Sequence, residues 1–457
     1  MKFLGTVFLG IILLFYSPEQ SLLEKVKESG ELRVITRYGL TTYYKWPNGR
    51  VTGLEYELAR SFAKELGVKL RLFLVKNYAD VLPLVADNHF HLAAASLIVT
   101  PSRQKLVRFG PYYQDITQLL VYRRGTKRPP NSLAELSATK YINVTTGSNQ
   151  IDILKALKQE HPQIVWKELV NIAPSELLKR IWKKQIKYAL VDSNEVLQER
   201  RFYPELQVAF NLSQRRNHLA WAFSRTNNDN SLYLAAIQFF NQLRRKGELE
   251  RLLERYYGHI SESEKFNYYN MRVFYRNIKK RLPKYQKFFK RVANHYNLDW
   301  RFLAAISYQE SRWNPAAVSK TGVKGLMMLT KSTAQEMGVK NRKDPLESIQ
   351  GGTKYFLAIK KRIPQQISEP DKTWFALAAY NVGLGHVRDI RRLTKMQGDN
   401  PDHWVDIKKH LPKLSEKKWY EQMNYGAARG YEPVHFVENI RRFYDILIME
   451  MDQKKWN

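Results

Sequence analysis

The sequence predicts a multidomain chain, an α/β module of two lobes followed by a mostly α-helical domain. Three observations carry this. The length of 457 residues exceeds one ordinary domain. Strand-like and helix-like segments alternate from about residue 30 to residue 258. Past Ser261 the strand signal nearly vanishes, and helical segments follow one another to the C-terminus.

The elements follow in order. The opening MKFLGTVFLGIILLFYSPEQ carries Lys2 and then an apolar run of fourteen residues, Phe3 to Tyr16. A spanning helix needs about 20 apolar residues, so this run suits a secretory signal peptide or a short uncleaved anchor. Residues 1–20 are therefore expected to export the chain. Residues 22–29, closed by Gly30, read as a short helix, and residues 32–35 as a buried strand. Leu54, Leu58, Phe62 and Leu66 line one face of a helix over 53–66 that Gly67 caps. Residues 68–75 read as a strand, 78–88 as a helix and 92–98 as a strand. This alternation implies a parallel sheet with helices on both faces. Residues 119–122, 141–144 and 188–191 read as further strands, and 232–257 as one long helix ended by Gly258. Residues 259–268 read as a polar linker, so the expected modules are 21–260 and 261–457. In the second, helices are expected over 270–280, 284–296, 300–311, 331–337, 345–361, 373–380 and 434–451.

Composition narrows the function. Hydrophobic residues make up 44%, with 27 Tyr and 21 Phe, which is ample for packed cores. The formal charge of +32 implies a polyanionic partner or surface. Anionic lipid and an acidic wall polymer both qualify. Nucleic acid is not expected, since no zinc finger, P-loop or RNA-recognition signature is present. There is no cysteine, so disulfides, a thiolate metal site, a Cys nucleophile and a lipid-modified Cys are all excluded. No metal or cofactor is expected.

The chemistry centres on one carboxylate. Asp299 can cap a helix from Trp300 to Glu310. Leu303, Ile306 and Glu310 fall at i, i+3 and i+7, which puts a carboxylate on an apolar stripe. Burial penalises the charged form, so such a Glu should hold its proton near neutral pH and act as a general acid. The bland alternative is a helix-end carboxylate paired with Arg312. Two-carboxylate glycosidases need a second acid nearby. No Asp or Glu occurs between Glu310 and Glu336.

The run Glu310-Ser311-Arg312-Trp313 is followed by Ser319, by Gly325-Leu326-Met327-Met328 and by Ala379-Tyr380-Asn381. Gly325 stands fifteen positions after Glu310, and Ala379 sixty-nine. This ordered set resembles the soluble-lytic-transglycosylase family, with its ES pair, GLMQ-like turn and AYN triplet. Met328 replaces the usual Gln, which removes one polar contact. The resemblance implies a lysozyme-like helical fold that cleaves peptidoglycan glycan strands without water. In that chemistry Glu310 is the sole acid/base. Ser311, Ser319, Gly325, Met327, Tyr380 and Asn381 would then bind or frame the sugar.

Upstream, Val99-Thr100-Pro101-Ser102-Arg103 and Phe109-Gly110-Pro111-Tyr112 resemble the family 3 solute-binding proteins over about residues 30–258. That implies a periplasmic-binding-protein-like module holding an amino acid or muropeptide between its lobes. Arg103 suits a carboxylate, with Thr100 and Ser148 as further donors, and Asp192 suits an ammonium group. The resemblances together imply an exported, periplasmic enzyme attached to the outer membrane surface, or held at the inner membrane by its leader. The competing reading is a solute receptor tethered to the wall by an inactive helical domain. Oligomeric state is left open.

Overall fold

The computed structural model describes residues 20–46, 49–136, 140–212, 216–225, 229–260 and 264–453. The leader expected over residues 1–20 lies outside the described residues except for its last position.

The first half folds as two lobes, each on a five-stranded sheet. One sheet runs in the order Lys69–Val75, Glu31–Arg37, Leu92–Ala93, Ala222–Ser224, Val107–Phe109. The other runs Trp166–Leu169, Ile142–Thr145, Tyr188–Asp192, Gln118–Arg123, Leu206–Asn211. The alternation predicts parallel sheets, but both are mixed. Glu31–Arg37 lies parallel to Lys69–Val75 and Leu92–Ala93, whereas Ala222–Ser224 enters antiparallel. The reason is topological. The chain crosses between lobes twice, and its returning segment arrives in the opposite direction. The two crossings, Gln114–Ile116 and Asn217–Leu219, pair antiparallel and tie the lobes together as a hinge.

Leu54, Leu58 and Phe62 are buried against Trp221, Phe239 and Phe240, as their spacing predicts. Two elements differ. The strand expected over 92–98 stops at Ala93; Ser96 turns out of the extended conformation at φ +55°, and its N–H donates to the buried Glu55 carboxylate at 2.8 Å. The helix expected over 232–257 is two helices, Ser231–Arg245 and Glu248–Tyr257. They part at Gly247, whose φ of +66° suits a residue without Cβ.

The second half is helical. Trp300–Ser311 and Asp371–Val382 both pack against the C-terminal helix Tyr431–Gln453. Glu264–Lys280, Leu282–Tyr296 and Pro345–Arg362 surround them, around a core that includes Phe274, Phe289, Ile306, Trp313 and Phe375. Leu384–Met396 and Trp404–His410 add two helices that the hydrophobic pattern does not single out. The polar linker expected over 259–268 is shorter: His259 is buried and a helix has begun by Glu264.

The halves share a wall. Leu40, Trp46 and Phe202 of the α/β half join the helical core. Glu254 accepts from Arg441 at 2.8 Å and pairs with Lys408 at 3.5 Å. Arg251 reaches Asp371 at 3.1 Å, and His259 reaches Asp445 at 2.9 Å. A cavity of about 330 Å³ lies in this seam, between Trp46, Arg201 and His259 on one side and Phe302, Trp374 and Asp445 on the other. Among the described residues no helix is long and apolar enough to cross a membrane.

Candidate active site

Glu310 sits in the last turn of Trp300–Ser311. The Asp299 carboxylate starts that helix by accepting the Arg301 N–H at 2.9 Å. Arg312 ends it in the left-handed region at φ +52°, and Trp313 turns back so that its indole N–H donates to the Ala304 carbonyl at 2.8 Å. The folded-back tryptophan locks the helix end that carries Glu310. The residue as a whole is only half-buried, yet burial alone pushes its carboxyl pKa up to about 8. No cation and no second carboxylate contributes to that shift. The pairing with Arg312 that the sequence also allowed is therefore not formed.

The Gly325–Leu329 turn is built onto this helix. Ser307 and Ser311 both direct their hydroxyls at the Leu326 carbonyl, at 3.1 and 2.9 Å. Ser311 is thus buried in the support of the turn. Gly325 has φ +88°, and a Cβ there would stand 1.8 Å from the Arg342 carbonyl oxygen, so only glycine fits. The Met327 N–H donates to the buried Ser348 hydroxyl at 3.2 Å. The Met327 carbonyl accepts from the Tyr380 hydroxyl at 3.1 Å. That hydroxyl lies close enough to Glu310 for the carboxylate to raise its pKa further, burial being the main cause. Helix, turn and tyrosine therefore converge on one place.

The other expected residues stand apart. Ser319 spends its hydroxyl inside its own turn, accepting the Thr321 and Val323 N–H groups at 3.2 Å each. Asn381 is exposed one residue from the end of Asp371–Val382. The sequence reading misses four supporting residues. Tyr355 and Phe436 flank the Tyr380 ring at 5.3 and 6.3 Å. Ser348 and Gly352 lie under Met327. The Gly351-Gly352 pair inside a helix was the available signal, since adjacent glycines there disfavour the helix unless something packs closely.

In the first module Arg103 is buried, donating to the Ile98 carbonyl at 3.4 Å and the Gly147 carbonyl at 3.2 Å. Thr100 caps the short helix Pro101–Gln104 through the Arg103 N–H. Asp192 accepts from Gln118 at 3.2 Å and Gln150 at 2.6 Å, and burial lifts its pKa to about 7. The buried Ser148 hydroxyl has no partner among the described residues. Arg37, Tyr78 and Glu195, unnoticed in the sequence, complete this cluster. The Tyr78 ring lies 5.6 Å from the Arg37 guanidinium and 5.8 Å from that of Arg103, and Arg37 pairs with Glu195. The lobes touch across it, since a Cβ on Gly147 would stand 2.5 Å from that of Ala79.

The desolvated carboxyl beside a braced turn and the two-lobed fold fit the class that the matches below show, a peptidoglycan lytic transglycosylase, a lyase-type enzyme, carrying a solute-binding module. Residues 287–402 match the transglycosylase SLT domain, and residues 32–259 match the bacterial extracellular solute-binding proteins, family 3. Membrane-bound lytic murein transglycosylase F 1 of Alkalilimnicola ehrlichii is 46% identical over 93% of this chain and 85% of its own length. Membrane-bound lytic murein transglycosylase F of Pseudomonas putida is also 46% identical, over 93% of this chain and 87% of its own length. The chain belongs to the membrane-bound lytic murein transglycosylase F family. A solved arginine-bound amino acid ABC transporter substrate-binding protein from Streptococcus pneumoniae covers 51% of this chain at 22% identity, with a TM-score of 0.46.

Proposed function

We propose that Glu310 performs both proton transfers of glycan cleavage. Its carboxylic acid protonates the glycosidic oxygen between N-acetylmuramic acid and N-acetylglucosamine, and that C–O bond breaks. The resulting carboxylate takes the proton of the muramic acid 6-hydroxyl, whose oxygen closes on C1. The product is a 1,6-anhydro end, the original proton state of Glu310 is restored, and no water is consumed. The nucleophile lies in the same sugar ring, so proximity supplies its effective concentration. The observation that carries this reading is a carboxyl whose pKa burial raises to about 8, with no second carboxylate beside it among the described residues. Tyr380 and the Met327 turn frame the reacting sugar, Ser311 holds that turn, and Gly325 lets it form. Ser319 and Asn381 contact the strand further out. Glu310→Gln tests the assignment: digestion of purified sacculi should release no 1,6-anhydromuropeptides while the fold is kept. Wild-type product yield from that variant would sink it.

The first module, residues 21–260, binds an amino acid or muropeptide through Arg103, Asp192, Thr100 and Ser148, and the helical domain, residues 261–457, is catalytic. The free Ser148 hydroxyl supports a ligand there. Calorimetric titration with free amino acids and stem peptides tests this, and silence from all of them counts against it. The chain works at the periplasmic face of the outer membrane, held there peripherally, and cell fractionation decides between that and the inner membrane.

A further inference from the structure

One stretch of the helical domain has a charge pattern that catalysis leaves unused. Between Glu264 and Asp299 no acidic residue occurs, while Lys and Arg recur throughout. These residues form the two helices Glu264–Lys280 and Leu282–Tyr296. Their apolar faces are buried through Met271, Phe274 and Ile278 on the first, and Phe289, Val292 and Ala293 on the second. The opposite faces are ordered by the same periodicity. On the second helix Lys284, Lys287 and Arg291 fall at i, i+3 and i+7 and are all exposed. On the first, Tyr269, Arg272 and Arg276 fall at the same spacing, and Tyr269 is 70% exposed. None of these cations forms an ion pair with a described residue. A folded domain gains nothing from gathering uncompensated like charges on one surface, because they repel.

The position of this surface relative to Glu310 narrows what it binds. The first helix packs on the Tyr308 side of the catalytic helix, with the Phe274 and Tyr308 rings 4.5 Å apart. Two residues of α-helix turn through about 200°. Tyr308 and Glu310 therefore point to opposite sides of Trp300–Ser311, so the first helix lies behind the catalytic carboxyl, and the second helix packs against both the first and the catalytic helix. A glycan strand seated on Glu310 does not run across that back face. A flat anionic sheet can lie against it and leave the cleft open to the wall. The exposed Tyr269 among the cations fits a water–lipid boundary, where an aromatic ring with a polar tip is favoured.

We propose that this two-helix surface docks the domain on an anionic phospholipid bilayer, with Glu310 facing away from the lipid. The proposal refines the peripheral membrane attachment suggested above by naming the face that makes it. Basic residues close to an anionic surface each strengthen binding by about fivefold at ordinary ionic strength.

The test uses the full chain with vesicles of phosphatidylcholine alone or mixed with phosphatidylglycerol. Comparing the two removes the contribution of the apolar run at residues 3–16, which is indifferent to headgroup charge. The wild-type chain should sediment preferentially with the phosphatidylglycerol vesicles, less so as salt rises. The triple variant K284E/K287E/R291E should lose that preference by more than ~100-fold. A control, K183E/K184E/K187E, makes the same charge change on exposed lysines of the α/β module and should keep it. Both variants should still digest sacculi in solution, which shows that they fold and separates this proposal from the assignment of Glu310. Equal losses in the two variants would overturn the proposal, because net charge rather than this face would be acting. Loss of sacculus binding with unchanged vesicle binding would overturn it too, and would assign the surface to glycan.

Discussion

The Tyr380 hydroxyl donates to the Met327 carbonyl at 3.1 Å, and in doing so joins the two strands of sequence that flank the catalytic carboxyl. Glu310 itself makes no such bond to a described residue. Its neighbours hold one another, and the carboxyl is left with burial as its only influence. That arrangement keeps a proton on the acid without spending a hydrogen bond that would have to break before the proton could leave.

Tyr380→Phe keeps the ring between Tyr355 and Phe436 and removes only the hydroxyl. The turn loses one anchor, at a cost of about 1 kcal/mol in stability. Turnover should fall roughly tenfold to a hundredfold through misplacement of the turn. Steady-state kinetics on soluble glycan chains, alongside a thermal melt, would check both. An unchanged rate with the expected melt would confine Tyr380 to a structural part.

Activity should follow the protonation of Glu310. The acid is competent below its pKa of about 8, so kcat/KM should decline as pH rises through that value. Stability declines in the same direction. Between the ordinary 4.5 and about 8 the folded chain holds a proton that the unfolded chain releases, so folding weakens as pH rises across that window. Glu310→Gln escapes this and should be more stable than the wild type at pH 8, on the order of 1–3 kcal/mol, with the gap closing below pH 4.5. Melts at the two ends of that range would reveal it.

Gly352→Ala drives a methyl group to 2.6 Å from the Met327 Cβ. Both atoms belong to buried, well-packed elements, so the helix or the turn must shift. A stability loss of about 1–3 kcal/mol and a clear loss of activity are expected. Gly338→Ala, whose Cβ would meet nothing within 4 Å, is a useful contrast even though its φ of +75° carries backbone strain. It should lose stability without losing specific activity.

The seam between the modules should weaken in acid. Burial lowers the His259 pKa from 6.5 to about 3, so the ring stays neutral in the fold while the unfolded chain takes up a proton. Stability from this residue is present above 6.5 and drains away as pH falls toward 3. Asp445, held below its usual range by Arg201 and His259 against the effect of burial, is a depressed carboxylate, and its contribution is lost in the same direction. His259→Gln should flatten the dependence of the melting temperature on pH between 6.5 and 4. An identical slope in the variant would remove His259 from the account.

Much of this was legible in the residues. The helix under Glu310 could be read from Asp299, Leu303 and Ile306, because a cap and a 3.6-residue stripe are local signals. The turn at Gly325 could be placed by its spacing from Glu310. What brings Tyr380 to Met327 is a contact across 53 positions, and no local pattern encodes it. The antiparallel strand Ala222–Ser224 escaped for the same reason, since its direction depends on how the chain returns between lobes. The break at Gly247 was readable in principle. The amphipathic stripe continued past it, and the period outweighed one glycine.

Glu254 belongs by chain to the last helix of the solute-binding module and by electrostatics to the catalytic domain. Arg441 holds it from the C-terminal helix, and Lys408 does so from Trp404–His410. Arg442 meanwhile donates to the His259 carbonyl at 3.0 Å. A catalytic fragment cut at residue 261 would leave both buried guanidinium groups without these partners. The place where two genes would be spliced and the place where two bodies would come apart are therefore different. Glu248–Tyr257 is a strip of the first module on loan to the second, and any shortened enzyme intended to work alone should begin upstream of Gly247.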